Sequence, residues 1–151
     1  MWAELLDIFR GGQPMKKMGK NFMEMLHLTR QMMEIVRPHI FDHSLSLEDR
    51  AKVYELDVKV NQLERKVRKM VVAHLGIKKS DVPYCLLLMT LVKDAERVGD
   101  YIKNVSEVSE LGGGSVPEGE LRQELAELAD TAMMLLDEVY QVFNEQDQRI
   151  R

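Results

Sequence analysis

Apolar side chains in this chain recur in alternating steps of four and three over four long stretches, a spacing that admits helices and excludes strands. From Pro14 to Ile40 the series is Met18, Phe22, Met25, Thr29, Met32 and Val36. From Leu47 to Leu75 it is Leu56, Val60, Leu63, Val67, Met70 and His74. Between Val82 and Glu110 it is Leu88, Leu91, Ala95, Val98, Ile102 and Val105. Between Glu118 and Gln146 it is Leu121, Leu125, Leu128, Ala132, Leu135, Val139 and Val142. At a rise of ~1.5 Å per residue, each stretch makes a helix about 40 Å long.

The breaks are chemically explicit. Pro38 ends or kinks the first helix, because a proline has no amide proton for the ladder. Ser46 with Asp49 forms an N-cap with an acid in the first turn. Gly76 closes the second helix, and Ser80-Asp81 with Pro83 restarts the chain. Gly112-Gly113-Gly114-Ser115 and Pro117 make a flexible link before the fourth. Short connections favour antiparallel neighbours. The expected fold is therefore all-α, an antiparallel up-down four-helix bundle over residues 13–151, with a short amphipathic helix over residues 1–12. In that leading segment Trp2, Leu5, Leu6 and Phe9 share one face. The face suits docking on a partner or a membrane surface, and equally suits capping the open end of this bundle or of a second subunit.

Composition narrows the function classes. One cysteine, Cys85, excludes a disulfide framework, and the four histidines lack zinc-finger spacing. The longest apolar run, near Cys85 to Leu91, is too short to cross a membrane. The first residues lack the basic-then-apolar order of a signal peptide, so a cytoplasmic location is expected, or a peripheral one on the inner face of the membrane. Residues 1–80 hold 15 Lys/Arg against 10 Asp/Glu (+5), and residues 81–151 hold 6 against 15 (−9). This asymmetry fits a basic helix lying against an acidic one, or else an interaction surface. No basic run is interleaved with aromatics, so nucleic-acid binding is not expected.

The residues with chemical potential are acids. On a wheel of about 100° per residue with Glu96 at zero, Asp100 falls near 40°, Asn104 near 80° and Glu107 near 20°, a polar stripe opposite the apolar one. Glu55, Asp57, Asn61 and Glu64 line the second helix beside its seam. Two facing stripes of this kind suit a shared hard or borderline cation. They equally suit a solvated face whose acids pair with Lys59, Arg65, Arg68, Lys93 and Arg97. Glu24-x-x-His27 has no second such pair, so a ferritin-like di-iron oxidase finds little support. His39, Asp42 and His43 read as polar residues of a helix end, and His74 as a satisfied core histidine. No phosphate-binding glycine loop, catalytic triad order or reactive cysteine setting is present, so catalysis is not expected.

Asp57-x-x-Val60-Asn61-x-x-Glu64 followed by Glu96-Arg97-Val98-Gly99-Asp100 resembles the PhoU family of phosphate-signalling regulators. The resemblance is convincing over residues 45–110 and extends more loosely to both sides. It implies an all-helical cytoplasmic protein that damps phosphate uptake and signalling through contact with a phosphate transporter, its sensor kinase or both. It also implies iron or zinc at the Glu-x-x-x-Asp motif, with Glu96 and Asp100 as ligands and Asp57 and Glu64 facing them. Asn61 matches a family position without an assigned role. Arg97, between the acids, would orient them or neutralise them. Family members typically carry two three-helix repeats in about twice this length, whereas this chain has one repeat plus a fourth helix. A homodimer would restore the second repeat. The competing expectations are a metal-free structural or interaction bundle and, weakly, a metal-dependent oxidase.

Overall fold

The computed structural model describes residues 13–42, 45–77, 81–108 and 115–149. Among them are four long helices, α1 (Gln13–Val36), α2 (Leu47–Leu75), α3 (Val82–Glu107) and α4 (Glu120–Arg149), and no strand. The expected helical bundle is thus observed. The segment with Trp2, Leu5, Leu6 and Phe9, together with His43 and the three linking glycines, lies outside the described residues.

Local chemistry sets the ends much as the residues dictate. Pro38 falls inside a 3-10 turn, Arg37–His39, that follows directly on α1. Ser46 adopts extended backbone before α2, and its hydroxyl accepts the Asp49 amide at 3.0 Å, satisfying one of the orphan donors of the first turn. Gly76 ends α2 in a right-handed conformation and needs no special backbone freedom. Asp81 precedes α3 without capping it. Its carboxylate instead meets the His74 Nε2 at 2.7 Å, tying the end of α2 to the start of α3.

α1 is the central element, packed against α2, α3 and α4, and α2 also packs on α3. Its whole expected stripe, Met18, Phe22, Met25, Thr29, Met32 and Val36, is buried. Flexible methionines let one helix fill the spaces left by three neighbours. In α2 the buried seam starts at Val53 and Leu56 but turns through Glu64, Val67 and Val71 instead of Leu63, Met70 and His74. In α3 it runs through Cys85, Leu88, Val92, Ala95, Glu96, Gly99, Ile102 and Ser106. The expectation that Glu96 faces away from the core is therefore corrected. α3 packs against both α1 and α2, which requires a buried arc wider than one apolar line, and the arc takes in the acidic edge.

The largest departure is in α4. Its leucine-rich stripe, expected to face the core, is exposed: Leu121 retains 63% of its surface and Leu128 66%. α4 meets α1 through its other side. Phe143 packs edge-on against Phe22 with ring centroids 5.1 Å apart, Arg37 pairs with Asp130 at 2.5 Å, and Arg30 pairs with Asp137. Arg122 binds Asp42 at 3.0 Å and the Val116 carbonyl at 2.7 Å, anchoring the start of the helix. These pairs are the basic-on-acidic packing that the charge asymmetry suggests. They also rotate the leucines toward an open groove beside α3.

Candidate acidic site between the second and third helices

Antiparallel packing of α2 on α3 brings the two acidic stripes together. Asp57 and Glu64 keep 7% of their surface each and Glu96 keeps 8%, so all three carboxylates lie in the groove between helices. Gly99 is buried beside this groove, but the approach of the helices does not depend on its lacking a side chain. A methyl group built there would lie 3.7 Å from Val60 and 3.9 Å from the Met32 sulfur, ordinary contact distances.

Burial has electrostatic consequences. Desolvation pushes the Asp57 carboxyl above the ordinary aspartate range, and the neighbouring Asp100 and Glu96 add to the shift. The opposing influence is Lys103, whose ammonium lies 3.7 Å from Asp57 Oδ2 on α2 and 3.1 Å from Asp100 Oδ1 on α3. Lys103 is in turn held charged by Asp100, Asp57 and Glu107, which together outweigh its own desolvation. The other acids have partners on their own helices: Lys93 reaches Glu96 at 2.5 Å and Arg68 reaches Glu64 at 2.8 Å. Asn61 donates to Asp57 Oδ2 at 3.3 Å. Asp57 Oδ1 has no hydrogen-bond partner.

The expected ligands divide accordingly. Asp57, Glu96 and Asp100 fall within mutual electrostatic reach, with Asn61 against Asp57 and Glu64 further along the same groove. Arg97 points outward and donates to the Tyr101 hydroxyl at 3.4 Å, so it does not sit between the acids. Glu107 accepts the Tyr54 hydroxyl, Glu55 is exposed and paired with Lys59 at 2.6 Å, and Asn104 is exposed. Sequence reasoning missed Lys103. On the wheel that places Asp100 near 40° it falls at ~−20°, beside Glu96 at the edge of the polar stripe, where its position is visible once cations are plotted with the acids.

The residues as placed do not fit an iron or zinc centre. Among the described residues no three His, Cys, Asp or Glu side chains come together in a way that would hold a metal ion. The ammonium of Lys103 already bridges the two helices where such an ion would neutralise the carboxylates. His27, paired with Gln31 at 3.1 Å and packed on the Tyr140 ring, belongs to the α1–α4 contact and not to this groove.

A family model described as PhoU domain matches residues 15–109, which span α1 to the end of α3 and leave α4 outside the match. No curated protein and no solved structure matches the chain.

Proposed function

This chain belongs to the PhoU family, and on that footing we propose that it regulates phosphate transport and phosphate signalling by protein–protein contact. The match over α1 to α3 carries the reading. The site supports a scaffold role. Each carboxylate in the groove between α2 and α3 has a cationic or amide partner, and Lys103, reaching Asp57 from α3, ties the two helices together.

The partner in this reading is a phosphate transporter, its sensor kinase, or both. No helix among the described residues is long and apolar enough to cross a membrane, so contact with a transporter would be made from outside the bilayer. In place of a metal, Lys103 serves as the cation that lets buried acids from two helices coexist.

The test is genetic and biochemical together. Deleting the gene should raise phosphate uptake or derepress phosphate-starvation genes in phosphate-replete cells, and the tagged full chain should retain a phosphate transporter or its kinase. Unchanged uptake and starvation-gene expression, with neither partner retained, would refute the regulatory reading.

A further inference from the structure

We propose that the end of the bundle where α1 begins and α2 ends is a membrane-surface contact that recognises anionic lipid headgroups. Antiparallel packing joins the two helix ends: the Lys66 ammonium donates to Asn21 Oδ1 at 2.9 Å, and the Asn21 amide meets the Met70 sulfur at 3.5 Å. Lys16, Lys17 and Lys20 of α1 are thereby gathered with Arg65, Lys66 and Lys69 of α2, and all six are exposed. The acids nearest them on α2 and at the start of α3 are already matched, Glu64 to Arg68 at 2.8 Å and Asp81 to His74 at 2.7 Å. The same end carries bare aliphatic side chains. Ile77 keeps 90% of its surface, Val72 69% and Leu86 56%, and they flank the junction of α2 with α3.

Chemistry selects the occupant. Exposed aliphatics bordered by long cationic side chains can press past a headgroup layer while the ammonium and guanidinium groups stay at its level. An acidic polypeptide would satisfy the cations and leave Ile77 and Leu86 in water. The cations also come from two helices side by side, which presents a broad positive field suited to a sheet of anionic groups. The chain as a whole carries a net charge of −4, so an anionic surface repels most approaches. The exposed acids Glu48, Glu118 and Glu120 stand where α2 and α4 begin, at the opposite end of the bundle. Attraction therefore requires the basic end to lead, which fixes the orientation of the protein on the surface.

Lipid contact does not rest on the phosphate-regulation reading: a chain that ignores lipid would refute the contact and leave regulation through protein partners intact. The experiment is co-sedimentation of the full chain with vesicles at physiological salt. Mixed phosphatidylglycerol and phosphatidylcholine vesicles should retain the protein, and pure phosphatidylcholine vesicles should not. Arg65→Gln with Lys69→Gln should weaken retention roughly 25-fold, at about fivefold per cation. Ile77→Glu should weaken it at least about tenfold through loss of the aliphatic contact. All three positions are exposed, so the helical circular dichroism should persist. Lys52→Glu should leave retention unchanged, because it lies ~20 Å along α2 from Arg65, beyond the Debye length of ~8 Å. Ile77→Cys carrying an environment-sensitive fluorophore should shift to shorter wavelength on the mixed vesicles, with the native Cys85 buried and unlabelled. This readout remains informative if the charge variants fold poorly. Equal retention on pure phosphatidylcholine, no retention on either vesicle, or an unshifted fluorophore would overturn the proposal. So would retention that survives both the double variant and Ile77→Glu. Poly-L-glutamate that holds the chain as tightly as the vesicles do, with Ile77→Glu making no difference, would overturn it in favour of an acidic polypeptide partner.

Discussion

Replacing Lys103 by methionine keeps most of the side-chain stem and removes the ammonium between α2 and α3, so it isolates the charge. At the 3.7 Å separation from Asp57 Oδ2, Coulomb attraction is worth ~1 kcal/mol in water and ~4 kcal/mol at an effective dielectric of 20. Asp57 is nearly buried and Lys103 partly so, which places the expected loss between these limits, at about 2 kcal/mol. The more exposed pair with Asp100 adds a few tenths of a kcal/mol, roughly. In the Asp57→Asn background the same replacement should cost less than about 0.5 kcal/mol, because the amide leaves no buried charge to strand. Urea unfolding of the four proteins at neutral pH gives the cycle directly. The pH dependence has a definite sign. Asp57 has a folded pKa above its unfolded value, so its contribution favours folding below the unfolded pKa and is lost as pH rises through the folded one. Removing Lys103 pushes that folded value higher still, so the deficit of Lys103→Met should be largest at neutral pH and shrink as the solution is acidified toward the ordinary aspartate pKa. A Lys103→Met cost that is the same with and without Asp57, or that does not change with pH, would refute the claim that Lys103 compensates a buried carboxylate.

Metal loading separates the lysine-bridged groove from a cation site: wild-type protein incubated with ferrous iron or zinc and desalted should carry well under one ion per chain by elemental analysis, and Lys103→Met should carry more. Stoichiometric metal on the wild type, lost in Glu96→Ala with Asp100→Ala, would reinstate the metal centre that the resemblance implies. Gly99→Ala should raise stability by roughly 0.5–1 kcal/mol in thermal unfolding, since helical glycine is costly and the added methyl meets its neighbours at 3.7–4.0 Å; destabilisation would mean that α3 needs to approach more closely than these contacts indicate. Ser46→Ala should cost about 1 kcal/mol through loss of the cap at 3.0 Å, read by the same urea titration, and an unchanged midpoint would show the cap to be dispensable.

Helix number, boundaries and order were legible because they follow from local chemistry: apolar period, the Ser46 cap, the breaks at Pro38 and Gly76. The acidic site was legible as a set of residues on two helix faces, and the family resemblance from those same residues agrees with the family match. Its electrostatics were not. Whether Glu96 meets water or a neighbouring helix depends on how many helices surround α3. The cation among the acids likewise depends on which long side chain reaches across. Lys103 reaches Asp57 only because α2 and α3 run antiparallel in this register, whereas Arg97, nearer to Glu96 in sequence, points outward.

α4 divides the two kinds of information most clearly. Its residues carry two usable seams, the leucine stripe from Leu121 to Val142 and a second line through Met133, Leu136, Tyr140 and Phe143. By hydrophobicity alone the leucines belong inside, and periodicity within one helix has no way of choosing otherwise. The choice was made by α1, where Arg30 and Arg37 find Asp137 and Asp130, and Phe22 finds Phe143. Local pattern fixes that a segment is a helix and which faces it can bury. Which face it does bury is decided by charges and rings on a neighbour a hundred residues away in the chain, and that left the leucine stripe of α4 open for another surface to cover.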